Sequence, residues 1–288
     1  MDKVKIIECP RDAMQGIKEF IPTHEKVEYI NQLLKVGFDT IDFGSFVSPK
    51  AIPQLKDTTQ VLSKLDLSNS KSKLLAIVAN KRGAVDACKY EEISYLGYPF
   101  SISETFQKRN TNASIDESLA RVEQIQELAV KHGKQAVIYL SMAFGNPYGD
   151  SWDAEIAMQW TEKLHKELEI KIISLSDTIG VSNRENIEAI FKPLLPEFPD
   201  VEFGAHLHTT PDSWEEKIDA AVRSGCRRFD GAIKGYGGCP MATDELTGNM
   251  ATENILQYLD QHNFETGVHK EEMNKAMSMA TNVFVNGI

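Results

Sequence analysis

Two histidines separated by one residue are the clearest chemical signal in the sequence. His206 and His208 end an apolar segment that predicts a strand, and alternate side chains of a strand point to the same side. Imidazole is a common metal ligand, although a pair of capped surface histidines is the alternative interpretation. With Asp12, an amide oxygen and water, the pair would form a mixed set that suits Mg²⁺ or Mn²⁺ and also admits Zn²⁺.

The residue before Asp12 could handle negative charge. Arg11 carries a permanent, forked cation that can bind a carboxylate or stabilise a developing oxyanion. An ion pair with Asp12 or Asp42 is the alternative. Asp42 and Asp177 are themselves candidates for a general base, for support of the metal ligands, or for partners of Arg11, and position in the sequence does not separate these roles.

A glycine-rich loop near the C-terminal end carries a cysteine. The segment Gly235–Pro240 places three glycines around Cys239, which predicts a flexible loop whose thiol could act as acid, base or nucleophile. An incidental thiol is the alternative. Lys234 precedes the loop and could bring a positive charge to a substrate carboxylate or phosphate, or simply face solvent. The remaining cysteines are predicted core residues without a disulfide or zinc pattern: Cys9, Cys88 and Cys226.

Short β-rich apolar segments alternate with amphipathic segments along the chain. The predicted strands are Val4–Glu8, Thr40–Phe43, Lys73–Val78, Glu92–Ser101, Gln135–Leu140, Lys171–Leu175, Val201–His206 and Arg228–Phe229. The predicted helices are Thr23–Lys35 with Thr23 as N-cap, Ser114–Lys131, Trp152–Glu169, Arg184–Pro193, Asp212–Ser224 and Ala251–Asp260. About eight strand–helix units over roughly 250 residues predict a (β/α)₈ TIM barrel. The alternative is an open doubly wound sheet, which shows the same alternation but is less favoured because no glycine-rich phosphate motif follows the first strand.

Polar residues collect where the predicted strands end. In a TIM barrel these ends meet at one rim, where active sites lie, and buried polar groups there are costly unless they are paired or bind a ligand. The repeated placement therefore predicts an active site built from Arg11, Asp12, Asp42, Ser45, Asn80, Glu104, Ser141, Ser174, Ser176, Asp177, His206 and His208.

The composition narrows the class of protein further. The 288 residues include 31 Lys and Arg against 42 Asp and Glu, and the net charge of −11 argues against a nucleic-acid partner. No apolar segment reaches the ~18–20 residues of a membrane helix, and no signal-peptide pattern is present. We expect one domain over residues 1–288 in the cytoplasm, with no membrane partner; a homodimer is one option for its assembly.

Ordered motifs along nearly the whole chain resemble those of a known family. They are Pro10-Arg11-Asp12 with Gln15, Ser45–Lys50 with Pro53-Gln54, Ser103-Glu104 with Phe106 and Asn110, Gly145–Tyr148, Leu175–Gly180, His206-Leu207-His208, Gly235–Pro240 and Gly248–Glu253. The sequence resembles the 3-hydroxy-3-methylglutaryl-CoA lyases, within the metal-dependent lyase and Claisen-synthase barrels. The Gly-Gly-Cys-Pro loop is not a feature of the Claisen synthases, so it favours the lyase branch.

The resemblance implies a role for each matching residue. The metal ligands would be Asp12, His206, His208 and Asn249, and the catalytic residues would be Arg11, Asp42, Asp177 and Cys239. The expected substrate contacts are Gln15, Ser45, Ser174 and Lys234, with Lys50, Lys81 and Arg82 as candidates for the CoA diphosphate. Arg11 would stabilise an enolate and Cys239 would protonate it.

Several positions depart from the family pattern. Asp42 stands where the family usually has Glu, Thr209 where Asp follows the second histidine, and Lys234 and Tyr236 where the loop usually has Ala and Leu. The implied reaction is a divalent-metal-dependent retro-Claisen cleavage of 3-hydroxy-3-methylglutaryl-CoA to acetoacetate and acetyl-CoA. The alternatives are a lyase or aldolase for another 3-hydroxy-acyl-CoA or a 2-oxo acid, or a catalytically silent barrel.

Overall fold

The computed structural model describes residues 2–238 and 247–285, and within them eight parallel strands close into a barrel. Strands β1 to β8 are Lys5–Glu8, Thr40–Ser45, Lys73–Ile77, Ile93–Ser101, Gln135–Ser141, Ile172–Ser176, Glu202–His206 and Arg228–Gly231. Each strand pairs with the next, and β8 closes on β1 with Lys5 opposite Arg228 and Ile7 opposite Asp230. The predicted TIM barrel is confirmed. The largest differences are in β2 and β8, which each extend two residues past their predicted ends at Phe43 and Phe229.

Helices surround the strands and connect each one to the next. Within the described residues, α1 to α11 are Pro10–Gln15, Thr23–Val36, Thr58–Leu62, Lys81–Ala87, Glu104–Thr111, Ile115–Lys131, Ala154–Leu168, Arg184–Glu197, Trp214–Arg223, Thr252–Gln261 and Lys270–Val285. None of them is both long and apolar enough to cross a membrane.

Two details of the predicted helices are wrong. Thr23 is not the N-cap of α2, because Pro22 occupies that position and the Thr23 hydroxyl donates instead to Asp57, at 2.8 Å. Helix α8 does not end at Pro193 but continues to Glu197, with Pro196 also inside it. A proline removes one backbone donor and crowds the preceding turn, so it weakens a helix without always ending it.

Side chains that point into the barrel differ from one side to the other. On β3 to β6 they form an apolar cluster separate from the large core between strands and helices, consisting of Leu75, Ile77, Tyr95, Val137, Tyr139 and Ile172. On β7 and β8 charged side chains take this place, including Arg228 and Asp230, which are almost completely buried. The carboxyl ends of the strands above this interior form the rim on which the candidate site lies.

Candidate active site

A short helix brings the first two chemical groups onto the rim. Strand β1 ends at Glu8, and Pro10 opens helix α1, where the fixed φ of proline suits the first helical turn. Arg11 and Asp12 therefore lie on α1. The prediction that they lie at the end of the first strand is wrong. Both side chains are buried, with residue exposures of 8% and 7%.

Asp12, His206 and His208 converge as predicted. One potential ligand atom from each lies within 4.8 Å of the others. His206 ends β7, and His208 forms an antiparallel bridge with Asn249, whose segment therefore runs beside the histidines. The Asn249 amide donates to Asp12 Oδ2 at 2.7 Å and to the Tyr236 carbonyl at 2.9 Å. All four predicted metal ligands thus meet at one point of the rim.

Unpartnered atoms in this cluster fit a divalent cation. Among the described residues, His208 Nδ1 and Asn249 Oδ1 are buried without a hydrogen-bond partner, which is costly unless a ligand binds them. Burial, followed by the charge of His206, lowers the pKa of His208 to about 4, so its imidazole is neutral at pH 7, as a metal ligand must be. A carboxylate, two imidazoles and an amide oxygen form a mixed donor set for a divalent metal.

Arg11 is held between two carboxylates. Its guanidinium contacts Asp12 Oδ1 at 2.9 Å and Asp42 Oδ2 at 2.5 Å, and it also donates to Gln15 at 3.0 Å. Burial opposes the charge of Arg11, but Asp42 and Asp12 outweigh burial and raise its pKa. Burial also raises the pKa of Asp42 to about 6, against the lowering effect of Arg11, so both groups are charged at neutral pH. The ion pair weighed as an alternative therefore forms, with both predicted partners.

A cavity of about 250 Å³ opens beside these groups. Its polar lining includes Arg11, Asp12, Gln15, the two histidines, Ser141, Ser176 and Thr178. Its apolar lining includes Val47, Ile52, Ile77, Pro99, Phe106 and Tyr139. The site can therefore combine stabilisation of charge with contacts to an apolar substituent.

Asp177 does not face this cavity. Its neighbours Ser176 and Thr178 line the cavity, whereas the Asp177 carboxylate accepts hydrogen bonds from Lys217 Nζ, at 2.8 Å, and from Ser182. Lys217 also donates to the His208 carbonyl at 2.8 Å. The position of Asp177 thus does not support its predicted role as a base. Through Lys217, Asp177 instead helps to hold the backbone at His208.

Three of the four predicted substrate contacts also lie elsewhere. Lys234 adopts a left-handed φ of 61°, and its ammonium donates to Thr281 on α11. Ser174 donates to Asp230 Oδ2 at 3.0 Å, and Ser45 Oγ accepts the Val47 amide at 3.1 Å. Of the predicted contacts, only Gln15 lines the cavity. Cys239 lies outside the described residues.

The other polar strand ends divide into site and scaffold residues. Ser141 and Ser176 line the cavity as predicted. Asn80 instead caps helix α4 by accepting the Gly83 amide at 3.0 Å, and Glu104 accepts the Ile115 amide at 2.9 Å. Both side chains are explained by satisfying helix N-termini, a common role for these residue types.

The sequence reasoning missed Asp230, which contacts His206, one of the predicted metal ligands. Its Oδ2 lies 3.3 Å from His206 Nδ1, and Arg228 Nη1 donates to its Oδ1 at 3.0 Å. The predicted strand ended at Phe229, one residue before Asp230, so Asp230 was not counted among the strand residues. The alternation of charged, apolar and charged residues at 228–230 was the available signal, because it places both charges on the inward face of a barrel strand.

The fold and the site together define a class: a (β/α)₈-barrel enzyme with a candidate divalent-metal centre at the carboxyl ends of its strands. Residues 3–280 match the HMGL-like family model, and the chain belongs to this family of carbon–carbon lyases.

Individual relatives cover most of the chain. Hydroxymethylglutaryl-CoA lyase YngG of Bacillus subtilis is 36% identical over 272 residues, 94% of this chain and 90% of the relative. The 3-hydroxy-3-isohexenylglutaryl-CoA/hydroxymethylglutaryl-CoA lyase of Pseudomonas aeruginosa is 31% identical over 268 residues, covering 92% of this chain and 88% of its own. Among solved structures, an HMG-CoA lyase from Acinetobacter baumannii in complex with coenzyme A and 3-methylmalate is 27% identical, with a TM-score of 0.90 over 99% of this chain and 92% of that chain.

Proposed function

We propose that the protein is a divalent-metal-dependent lyase that cleaves 3-hydroxy-3-methylglutaryl-CoA into acetoacetate and acetyl-CoA. The observation that carries the proposal is the convergence of Asp12, His206, His208 and Asn249 next to Arg11, on the rim of the barrel. The lyases of B. subtilis and P. aeruginosa support the substrate by name, and the coenzyme A bound to the A. baumannii lyase supports an acyl-CoA partner.

The four converging residues would hold Mg²⁺ or Mn²⁺. When bound, the cation would supply Lewis acidity that makes the tertiary hydroxyl of the substrate easier to deprotonate. Asp12 presents a carboxylate already oriented by Gln15 Nε2 and Asn249 Nδ2, each at 2.7 Å. Little rearrangement of this side chain is therefore needed on binding.

The chain's own residues account for the charge that develops during cleavage. Loss of the hydroxyl proton lets the carbon–carbon bond break, which leaves a ketone and the enolate of acetyl-CoA. Arg11 lines the cavity and is fixed by Asp42, so its cation is pre-oriented to stabilise the enolate oxygen. Of the two predicted bases, Asp42 contacts the cavity-lining Arg11 and would accept the hydroxyl proton of the substrate. Cys239 remains the proposed donor of a proton to the enolate carbon, from its match to the family.

The apolar lining of the cavity favours a second candidate substrate class. Ile77, Pro99, Phe106 and Tyr139 line the cavity together with the charged groups, and the P. aeruginosa relative is named for a substrate with a longer substituent on C3. A 3-hydroxy-3-alkylglutaryl-CoA with a larger alkyl group would place that group against these apolar residues. The chemistry at the metal and at Arg11 would be the same.

A substrate panel separates these candidates. Purified protein is incubated with Mg²⁺ and either 3-hydroxy-3-methylglutaryl-CoA, its longer 3-alkyl analogues or free 2-oxo acids, and the products are quantified by mass spectrometry. We expect equal amounts of acetoacetate and acetyl-CoA from the first compound and no cleavage of the free 2-oxo acids. Cleavage of a 2-oxo acid with no reaction of any CoA thioester would contradict the proposal.

We further propose a cytoplasmic location, as expected from the sequence, and a homodimeric assembly, which was one option that the sequence left open. Cys9, Cys88 and Cys226 are buried free thiols, which is consistent with a reducing compartment. Lys50, Lys81 and Arg82 are exposed after β2 and β3 and remain the proposed contacts for the CoA diphosphate. Size-exclusion chromatography with light scattering would measure the assembly directly.

A further inference from the structure

A row of charged side chains runs through one side of the barrel interior. Glu202 Oε1 lies 3.2 Å from Arg228 Nε, Arg228 Nη1 lies 3.0 Å from Asp230 Oδ1, and Asp230 Oδ2 lies 3.3 Å from His206 Nδ1. Lys5 pairs with Glu202 at the outer end, where both side chains are partly exposed. The interior of a TIM barrel is usually filled by branched apolar residues. This row therefore links the N-terminal mouth of the barrel to the predicted metal centre.

Gly204 makes room for the arginine. A Cβ atom at Gly204 would lie 2.8 Å from Arg228 Nη1 and 3.0 Å from Ser174 Oγ. Gly204 stands between Glu202 and His206 on β7, with its missing side chain on the same inward face. The backbone of β7 thus leaves the space that the guanidinium occupies.

Stability alone is a weak explanation for this arrangement. The side chains of Arg228 and Asp230 are 2% and 0% exposed, and burying two charges costs about as much as their attraction returns. Apolar residues of similar volume would fill the space at least as well. What the pair does provide is a fixed carboxylate: Asp230 is held by Arg228 on one oxygen and by Ser174 on the other.

We infer that Arg228 is a positioning residue for the metal centre: it fixes Asp230, and Asp230 fixes the ring of His206. The contact to Nδ1 leaves Nε2 as the remaining ligand atom of His206, and the ring of Tyr139 meets the imidazole edge-on at 5.7 Å. Carboxylates behind metal-bound histidines typically contribute 10- to 100-fold to metal affinity. The inference rests on the proposed metal centre.

Titration of metal-stripped protein with Mn²⁺, followed by electron paramagnetic resonance, tests this role without using activity. We expect Asp230→Asn and Arg228→Met each to weaken the dissociation constant for Mn²⁺ by about 10-fold or more. The double variant should bind no more weakly than Asp230→Asn, because Arg228 acts through Asp230. Arg228→Lys should recover part of the affinity. Lys5→Met, at the outer end of the row, is the matched control and should bind Mn²⁺ like the parent protein.

The outcomes separate the positioning role of Arg228 from the existence of the metal centre. If the parent protein and folded Arg228→Met bind Mn²⁺ within twofold of each other, the positioning role is overturned and the metal centre stands. If the parent protein itself binds no Mn²⁺, the proposed metal centre fails and the inference fails with it. Should Arg228→Met not fold, Gly204→Ala displaces the guanidinium while keeping its charge, and unchanged affinity in that variant overturns the inference equally.

Discussion

Arg11 is in contact with both carboxylates that could have competed for it. Asp42 accepts from Nε and Nη2, and Asp12 accepts from Nη1, so the guanidinium is oriented before any substrate binds. Pre-orientation matters because a fixed donor stabilises developing charge without having to reorganise during the reaction. The shorter Asp42, in place of the family's usual Glu, still reaches the guanidinium.

Removal of the Arg11 cation should mainly affect turnover. We expect Arg11→Met to lower kcat by about 10²–10³-fold, since such losses follow removal of one donor from a developing oxyanion. Steady-state kinetics with 3-hydroxy-3-methylglutaryl-CoA would measure it. A variant that keeps kcat within threefold of the parent would show that the enolate is stabilised elsewhere.

Lys234 allows a test of its predicted contact with the substrate. Its ammonium donates to Thr281 on the C-terminal helix rather than entering the cavity. We therefore expect Lys234→Ala to leave KM for the acyl-CoA within about twofold of the parent, with Gln15→Ala, which removes a cavity-lining side chain, as the matched comparison. A tenfold rise in KM for Lys234→Ala would restore the sequence-based interpretation.

The convergence of Asp12 with the two histidines was predictable, whereas the direction of Asp177 was not. The spacing of His206 and His208 places both on one face of a strand, and barrel closure brings Asp12 beside them. At Ser176 the strand ends, and a shift of one residue reverses which side chains face inward. The direction of the Asp177 side chain depends on this register and on its tertiary contact with Lys217, and neither can be read from the sequence.

Among the helices, one carboxylate connects three members of the outer ring, α8, α9 and α10. Asp219 on α9 accepts from Arg184 on α8 at 2.7 Å, from Arg223 on its own helix at 2.7 Å, and from Tyr258 on α10 at 2.6 Å. Burial opposes ionisation, but the hydrogen bonds from Tyr258, Arg184 and Arg223 outweigh it and lower the pKa of Asp219 to about 2.

This contact predicts a pH-dependent contribution to stability. Because the folded pKa lies below the unfolded value of about 3.9, the stabilisation is present above that value and is lost as pH falls towards 2. We expect Asp219→Asn to lower the free energy of unfolding by about 1–2 kcal/mol at pH 7, with a smaller difference near pH 2. Urea unfolding of both proteins measures this. A difference that stays constant from pH 7 to pH 2 would contradict it.

Most elements followed from periodicity, and the missed ones are chiefly short. All eight strands were predicted within two residues of their observed ends, because buried parallel strands are nearly continuous apolar segments. Helices α1 and α3 have six and five residues, too few to show an amphipathic period. Helix α1 carries Arg11 and Asp12, so one of the helices that the sequence analysis missed is the helix that places these two residues at the rim of the barrel.

At the scale of the whole molecule, Glu8 connects the first strand to the C-terminal part of the barrel. Its carboxyl group accepts from the Ile233 amide at 2.9 Å and from the Thr252 hydroxyl at 2.6 Å. Burial raises the pKa of Glu8 to about 8, against the lowering effect of these two hydrogen bonds. The side chain is therefore largely protonated at neutral pH in the folded protein.

The raised pKa of Glu8 determines the sign of its effect on stability. The stabilisation is fully present below the unfolded pKa of about 4.3 and is lost as pH rises through the folded value. Relative to Glu8→Gln, the free energy of unfolding of the parent protein should therefore fall by up to about 1.4 kcal/mol per pH unit between pH 5 and 8. Urea unfolding across this range would reveal it, and a difference independent of pH would exclude a protonated Glu8.

The proposed function requires a divalent metal for cleavage of the carbon–carbon bond. Its most direct test is acetoacetate release from 3-hydroxy-3-methylglutaryl-CoA by protein stripped with a chelator, before and after addition of Mg²⁺ or Mn²⁺. We expect the stripped protein to be inactive and either cation to restore release of acetoacetate and acetyl-CoA in equal amounts. Full activity after exhaustive chelation would contradict it.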